Sequence, residues 1–469
     1  MSFRLADKIP EMVDAWAAHK NSLKYKEDLF NIHEGQLYDY VDQKLRTFLD
    51  PASKTYQFAK TRIAPINLLK KIISKESQIY NEGPTREIYD SEAPSDSELL
   101  DWYVEKFDMN TKFDVLNENY NLTKVGFIMP VLIDGQPSLK VIPSHQFLPF
   151  NWDKRDPTKL SAIMTYQGSI EVMGNKVELF YAYSNDEFIA FTSQKAIYRE
   201  RMAELNNPEG VNIYGKIPGV YVKKSRNLLF PLDDTDLKEM VVMIPTLVSD
   251  LNLASMFSVF SIFYGIDIDD ENLSYGPNVF WKFKSDPTSD KKPEIGTIKP
   301  EADIEKTLQL VASQLSMWLN SRGLRPGTIG TVNADNYVSG ISKIVDEADA
   351  TESRNKQAGL FERIESLEFW NLMINYIHPV WVKQGLDTNK LFSQNAKVRV
   401  KFPPMDLLRP RAEQIADAKA EVEAGFESRR RAIKKLNPEM SDDEVIELIR
   451  EIDGESFLEV PANGELATD

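Results

Sequence analysis

The sequence predicts an α+β fold in which helical regions at both ends of the chain flank a mostly antiparallel sheet. Apolar residues recur at three- and four-residue spacing before Gly83 and again after Asp233. Between them, from Lys124 onward, runs rich in β-branched and aromatic residues alternate with turn dipeptides. A chain of 469 residues, 42% of them apolar, is long enough for several domains around a sizeable core.

The N-terminal region is predicted to be helical. Helices are expected over Glu11–Ser22, Leu37–Leu49 and Ile63–Tyr80, and a shorter one over Leu99–Phe107. In the third, the isoleucines and leucines form one stripe with lysines on the outer side, and Gly83 and Pro84 stop the helix. These helices are expected to pack against the sheet that follows.

The sheet begins with a predicted hairpin. The dipeptide Asp134-Gly135, which favours a tight turn, separates the apolar run Val125–Ile133 from Leu139–Ile142. Four more strands are expected, over Leu160–Tyr166, Ser169–Val172, Val177–Tyr183 and Glu187–Thr192.

A small β insert between two long helices is predicted next. The first helix is expected from Asp233 to Gly265, with acidic residues in its first turn. The insert has two apolar runs, Asn278–Phe283 and Glu294–Ile298, and is too small to hold much core of its own. Neighbouring subunits could complete its sheet, which indicates a ring. The second helix ends at Gly323 and has an apolar face at alternating four- and three-residue spacing, formed by Ile304, Leu308, Val311, Leu315 and Trp318.

The rest of the chain is predicted to be mainly helical. The polar, glycine-rich stretch Arg325–Gly340 is unusually long for a loop between helices, and such loops are often functional. The elements expected after it are a helix over Ile341–Ile377, a single strand at Val398–Phe402, a helix over Asp406–Gly425, a basic helix from Ser428, and a last helix that begins at the capping box Ser441–Glu444 and ends near Ile452.

Composition excludes several classes of protein. The absence of cysteine rules out disulfides and thiolate chemistry and is typical of a protein folded in a reducing cytoplasm. A net charge of −16 argues against a protein that grips nucleic acid broadly, although a negative wall suits DNA that must slide. The uncharged run Leu251–Ile266 is shorter than the roughly 18 residues of a membrane span. A buried helix is the preferred interpretation, and no membrane contact is expected.

Signatures of catalysis are incomplete. Gly210–Lys216 has the glycine and lysine spacing of a phosphate-binding loop, but Ile217 replaces the required hydroxyl residue. The four histidines show no metal-ligand spacing. A metal-dependent nuclease would need carboxylate clusters such as Asp233-Asp234, Asp269-Asp270 or Asp442-Asp443, but each lies at a helix start or a polar turn. The sequence therefore predicts no enzymatic activity, no cofactor and no metal.

Two basic groups could contact partners. The insert carries Lys282, Lys284, Lys291 and Lys292, which form either a solvated loop or a contact with an acidic partner or DNA phosphate. The run Arg429–Arg431 is interpreted as a salt-bridge surface between subunits rather than a DNA grip.

The order of these parts resembles the portal proteins of tailed bacteriophages from about Ile63 to Ile452. Three local stretches are similar to the family. They are Ile244–Asn252 in the first long helix, Tyr337–Ile341 before the helix that follows the polar loop, and Ala424–Ser428 ahead of the acidic stretch Asp442–Arg450.

The resemblance implies a portal-like domain order. It comprises an N-terminal α/β wing (1–232), a first stem helix (233–266), a clip (267–301), a second stem helix (302–323), a tunnel loop (324–340), a long wing helix with a return strand (341–404), and a helical crown with a tail (405–469).

The implied function is a ring, usually of twelve subunits, at one capsid vertex of the virion, assembled in the cytoplasm of the host bacterium. Double-stranded DNA would pass through it without being read. The large terminase ATPase, a head–tail adaptor at the clip and the major capsid protein would be its partners. In the tunnel loop, Asn333, Asp335, Asn336 and Tyr337 would meet the DNA backbone. The alternative is another virion structural or tail-connector protein without a DNA channel.

Overall fold

The computed structural model divides the chain into two compact units. The first comprises Met1–Asn336 with Glu352–Pro403, and the second comprises Tyr337–Thr351 with Pro404–Asp469. The residues that the structure describes are 4–90, 93–153, 155–172, 174–259, 262–266, 294–298, 304–324, 352, 354–386, 388, 390–403, 411–437, 440 and 442–458.

The first unit mixes helices with antiparallel strands. Its helices are α1 (Leu5–Ala18), α2 (Lys20–His33), α3 (Leu37–Leu45), α4 (Lys54–Lys60), α5 (Leu68–Glu76), α6 (Pro94–Lys106), α7 (Met109–Thr123), α8 (Arg199–Glu204), α9 (Thr235–Val259), α10 (Ile304–Ser321) and α11 (354–383). Its strands are β1 (Thr85–Tyr89), β2 (Val125–Ile133), β3 (Gln136–Ile142), β4 (Phe147–Phe150), β5 (Ala162–Val172), β6 (Asn175–Tyr183), β7 (Phe188–Thr192), β8 (Val220–Lys223), β9 (Ile262–Ile266), β10 (Glu294–Ile298) and β11 (Lys397–Lys401).

The helical N-terminal region is confirmed, with different boundaries. The helix predicted over Glu11–Ser22 is two helices, α1 and α2, that meet at His19. The helix predicted over Ile63–Tyr80 is shorter, because the Asn67 side chain caps α5 by accepting a hydrogen bond from the Lys70 amide at 3.1 Å. The residues before this cap do not continue the helix, and Ile66 is exposed.

The predicted hairpin is confirmed. Asp134 and Gly135, both with positive φ, join β2 to β3, and β8 adds to the other side of β2. A second antiparallel sheet has the order β4-β5-β6-β7. The two strands predicted between Leu160 and Val172 are one strand, β5, whose register shifts between Tyr166 and Gly168.

The strand predicted near Val398 is not single. It is β11, and it pairs antiparallel with β1, so that Thr85 lies opposite Lys401. Strand β1 and helix α7 have no counterpart among the predicted elements. Lys124, at the end of α7, has a positive φ of 65°, which separates this helix from β2 within one residue.

The first long helix is shorter than predicted. Helix α9 ends at Val259 rather than Gly265, and residues 262–266 form β9, which pairs with β10. This segment contains isoleucine, phenylalanine and tyrosine, which favour a strand. The predicted strand Asn278–Phe283 lies outside the described residues. Within the described part of the chain, no helix is long and apolar enough to cross a membrane.

Helix α11 is wound unevenly. Two segments, Ile364–Phe369 and Met373–Ile377, form the wider turns of a π-helix, and α-helical turns lie between and after them. The helix continues to residue 383, beyond the predicted end at Ile377. Its predicted beginning, Ile341, lies outside the described residues.

Five hydrophobic cores form among the described residues of the first unit, and the three largest join its main elements. Helices α6, α7 and α11 pack together with β2 and β8, α1 covers the four-stranded sheet, and α9 and α10 pack against α2, α3 and α5. The first core encloses a core triad of Tyr80, Arg86 and Glu365. Arg86 Nε donates to Glu365 Oε2 at 2.7 Å, and the Tyr80 hydroxyl donates to Oε1. The Glu365 side chain is fully buried.

The second unit contains three described helices, α12 (Arg411–Glu423), α13 (Arg429–Leu436) and α14 (Asp442–Leu458). The predicted basic helix is confirmed as α13. It begins after Ser428 because the Ser428 hydroxyl caps it, accepting a hydrogen bond from the Arg431 amide at 3.3 Å. Gly425, with a φ of +76°, follows α12 as predicted. The last helix extends beyond the predicted end at Ile452, and Asp406 lies outside the described residues.

Candidate functional site

The most informative arrangement in the first unit is the helix pair formed by α9 and α10. The two helices share one apolar interior, to which α9 contributes Val241 and Ile244 and α10 contributes Val311, Leu315 and Trp318. The predicted apolar face of α10 is therefore confirmed at these three positions. Leu308, which was predicted on the same face, is exposed.

At one end of the pair, which we call the far end, the C-terminus of α9 and the N-terminus of α10 lead into the β9–β10 ribbon. The opposite end, with the start of α9 and the end of α10, is the near end. Strand β9 follows α9 after two residues, and β10 precedes α10 by five. Glu294 lies opposite Ile266, and Ile298 lies opposite Ile262. The chain thus passes from α9 through the β9–β10 ribbon to α10, and the pairing of the two strands brings the start of α10 close to the end of α9.

The near end of the pair is held by a group of charged side chains, here called the base cluster: Glu76, Lys124, Lys224, Asp234, Asp236 and Arg322. Arg322 follows α10 and Asp236 lies in the first turn of α9, so each charge also opposes the dipole at its helix end.

Arg322 is the centre of the base cluster. Its Nη1 lies 3.2 Å from Asp234 Oδ2, its Nη2 lies 3.9 Å from Glu76 Oε1, and its guanidinium lies over the Trp318 ring. The Trp318 indole donates to Asp236 Oδ2 at 3.0 Å. A hydrogen bond with Asp234 lowers the pKa of Asp236 to about 2, and the Trp318 bond acts in the same direction.

Two lysines complete the base cluster. Lys124 Nζ lies 3.6 Å from Asp234 Oδ2, and Lys224 Nζ lies 3.9 Å from Glu76 Oε2. Burial lowers the pKa of Lys224. Within the described part of the chain, Glu76 Oε2 and Arg322 Nε are buried without a hydrogen-bond partner, so the base cluster is loosely packed.

A separate ion pair ties α9 to α2. The Lys26 ammonium donates to Asp233 Oδ1, which also accepts from the Ser22 hydroxyl at 3.0 Å, and Lys26 is 1% exposed. Burial lowers the pKa of Lys26. The pair Asp233-Asp234 is thus neutralised by cations and lies at a helix start, as expected for a structural rather than a metal-binding pair.

The predicted contact residues lie outside the described part of the chain. These are the tunnel-loop residues Asn333, Asp335, Asn336 and Tyr337 and the clip lysines Lys282, Lys284, Lys291 and Lys292. The base cluster was missed at the sequence level. Only its aspartates gave a signal, as the acidic start of α9.

The incomplete phosphate loop is held for structural reasons. The Asn212 amide donates to the carbonyls of Ser184 and Lys216, at 2.6 and 2.8 Å. The Lys216 ammonium lies 5.0 Å from the centre of the Tyr376 ring, and strand β8 rather than a helix follows. This geometry does not provide the helix N-terminus that binds a phosphate.

His378 is a core residue. The Tyr103 hydroxyl donates to its Nδ1 at 2.7 Å, and its Nε2 donates to the Lys390 carbonyl at 2.9 Å. Burial lowers its pKa, in keeping with a neutral ring. Among the described residues, no three histidine or acidic side chains are grouped so that they could hold a metal ion.

The fold and this site define a mixed helix and sheet protein in which charged side chains join the ends of a long helix pair. A family model described as "Phage portal protein, SPP1 Gp6-like" matches residues 17–456. The chain therefore belongs to this family of phage portal proteins, whose role in the virion is structural.

Two of the solved structures that match the chain come from gene transfer agent particles. One is described as "Neck of empty GTA particle computed with C6 symmetry", with 12% identity and a TM-score of 0.41. The other is described as "Virion of native gene transfer agent (GTA) particle", with 12% identity and a TM-score of 0.39. Each match covers 83% of this chain and 94% of the other. No curated protein matches the chain.

Proposed function

We propose that this chain forms a ring at one capsid vertex, and that double-stranded DNA enters and leaves the capsid through that ring. The observation that carries the proposal, beside the family, is the braced helix pair with a ribbon at one end and the base cluster at the other. We assign this pair to the stem of the portal, between the proposed wing and clip, on the basis of its packing, its ribbon and its ion pairs.

Ring formation is supported by the outer side of α10. Leu310 and Met317 lie seven residues apart, hence on one side of the helix, and they are 56% and 65% exposed. Exposed apolar side chains in a row are typical of a surface that another subunit covers. The stoichiometry proposed is twelve, the number that the resemblance to portal proteins implies.

DNA passage is supported by charge. A ring of subunits with a net charge of −16 surrounds the duplex with a negative field, which prevents tight adhesion to phosphates. In the tunnel loop (324–340), Asn333, Asp335, Asn336 and Tyr337 would touch the DNA backbone without reading its sequence.

The proposed partners follow the domain order. The large terminase ATPase and the head–tail adaptor would bind the clip side, where Lys282, Lys284, Lys291 and Lys292 offer positive charge. The wing and crown would face the major capsid protein and the capsid interior. The ring would assemble in the bacterial cytoplasm and hydrolyse nothing itself.

Negative-stain images and the assembled mass test the ring. Twelve copies of a 53.7 kDa chain give about 640 kDa with an open axial channel. A protein that stays monomeric under all assembly conditions would contradict the proposal.

Deletion of Thr328–Tyr337 tests the channel. Rings should still form, which shows that the variant folds, but packaging or retention of DNA should be lost. Unaffected packaging would favour a connector without a DNA channel.

A further inference from the structure

The stretch from α3 to α5 departs from the acid character of the chain. Residues 43–75 contain eight lysines and arginines and one acidic residue, in a chain with a net charge of −16. Most of these cations are exposed. A surface of opposite sign to the rest of the molecule is a binding surface for a negatively charged partner.

The centre of this stretch is the exposed side of α4 together with the turn that follows it, here called the α4 face: Lys54 and Phe58 on the helix and Arg62 in the turn. Lys54 and Phe58 are four residues apart on the helix and, like Arg62, are exposed, whereas Tyr56 and Ala59 are buried. Phe58 is 51% exposed. Lys54 and Arg62 form no ion pair with another described residue.

The exposed side chain of Phe58 indicates which class of partner fits the α4 face. DNA phosphates bind cations, and a phenylalanine between those cations gains nothing from a duplex backbone. A protein interface buries an apolar centre within a charged rim, as Phe58 lies between Lys54 and Arg62. The α4 face therefore fits an acidic protein surface with apolar side chains.

The same chain offers such a surface where the loop before β8 meets the turn before β7. This surface, here called the acidic edge, consists of Asp186 in the turn and Glu209, Val211 and Ile213 in the loop. The Asn212 amide nitrogen donates to the Asp186 carbonyl at 3.0 Å, which fixes the loop against the turn before β7. Because Asn212 points inward, its neighbours Val211 and Ile213 point outward, where they are 49% and 51% exposed.

We propose that the α4 face of one subunit binds the acidic edge of the next copy of this chain. Two different surfaces that meet head to tail generate a ring when the rotation between subunits closes. The inference rests on the proposed ring and adds the contact that holds neighbouring subunits in register.

Charge reversal tests the contact. Lys54→Glu with Arg62→Glu, and separately Asp186→Lys with Glu209→Lys, should each raise the concentration for half-assembly at least tenfold in sedimentation velocity. The four changes together should restore assembly, because both signs are exchanged. Lys106→Glu with Lys383→Glu, two exposed lysines elsewhere in the unit, is the matched control and should assemble normally.

A second measurement does not depend on charge. The chain has no cysteine, so Phe58→Cys and Val211→Cys can be made on separate chains and mixed under oxidation. Disulfides should join the two kinds of chain in preference to like chains, and circular dichroism and a melting curve verify that each variant is folded.

Several results would overturn the proposal. If both charge-reversed variants form normal rings, the proposed contact is wrong, while the proposed ring is unaffected. Two weakened variants without restoration in the combined one would show that the surfaces do not meet each other. If the double variant Lys54→Glu with Arg62→Glu assembles normally but its particles lose DNA, the α4 face binds DNA instead. A wild-type chain that never assembles would overturn the ring as well.

Discussion

The core triad and the base cluster use charge in different ways. In the core triad, Glu365 is enclosed by Arg86 and Tyr80, and all three lie in the apolar core of α6, α7 and α11. In the base cluster, the ion pairs of Arg322 and Lys224 span 3.2 to 3.9 Å, and two buried polar atoms lack hydrogen bonds.

The difference follows from packing. A buried ion pair is stable only when every polar atom is bonded, so the core triad permits little movement. A cluster with long contacts and several alternative partners loses less stability when one of its contacts is broken. We therefore expect the core triad to fix α11, and the base cluster to hold α9 and α10 while allowing them to shift.

The largest expected effect is at the core triad. Glu365→Gln leaves the Arg86 guanidinium buried without its counter-charge and should lower the free energy of unfolding by about 3–5 kcal/mol. Chemical denaturation followed by tryptophan fluorescence measures it, since Trp370 and Trp381 lie in the same core.

The double variant Arg86→Met with Glu365→Met is the matched control for Glu365→Gln. It leaves no unpaired charge in the core and should be more stable than the single variant. A loss below about 1 kcal/mol for the single variant would mean that the pair is solvated.

A smaller effect is expected at the base cluster. Arg322→Ala should cost about 1–2 kcal/mol, because Lys124 remains beside Asp234 and water can reach the vacated space. Hydrogen exchange should rise in the first turns of α9 and the last turns of α10, while α11 stays protected. Arg322→Lys should recover part of the protection, and equal exchange in α11 would contradict the difference between the two clusters.

A third prediction concerns pH near the core triad. Burial raises the pKa of Asp114, a residue of α7 near Tyr80, to about 6, whereas an unfolded aspartate titrates near 3.9. The folded chain therefore binds this proton more tightly, and its stability falls as pH rises from about 4 to 6.

Asp114→Asn removes this titration and should stabilise the chain by about 1 kcal/mol at pH 8, with the gain gone near pH 4. Melting curves at both pH values test it. A gain that is equal at both would contradict the assigned cause, and Asp134→Asn, in the exposed hairpin turn, is the control.

The smallest effect is expected where charge is exposed. Glu98 pairs with Lys390 at 2.7 Å, with 68% and 56% of their side chains exposed. Glu98→Gln should leave the free energy of unfolding almost unchanged, because water and salt screen an exposed pair. A loss of stability as large as that of Arg322→Ala would show that the exposure of a charged pair does not determine how much its removal destabilises the chain.

Local signals in the sequence were enough for much of the fold. Asp134-Gly135 defines its hairpin within two residues, and the face of Val311, Leu315 and Trp318 follows from helical spacing alone. In contrast, β1 has weak strand character by itself and depends on β11, over three hundred residues away in the chain. Its pairing is a tertiary effect that periodicity cannot reveal.

The base cluster was beyond prediction for the same reason. Glu76, Lys224 and Arg322 are separate surface-type residues in the sequence, and they meet only because α5, β8 and α10 pack around the start of α9. The charge of α4 was visible in the composition, but its outward position depends on the burial of Tyr56 and Ala59.

The two wide segments of α11 have a consequence for the length of the chain. A π-turn holds about one residue more than the α-turn it replaces, so each is equivalent to a single inserted residue that the helix absorbs. Removal of one residue between Ile364 and Phe369 would restore α-geometry and leave the following turns facing the same way. His378 and Trp381 would then keep their contacts with Tyr103. In an alignment with shorter relatives, a one-residue gap is therefore expected inside this helix rather than in a neighbouring loop.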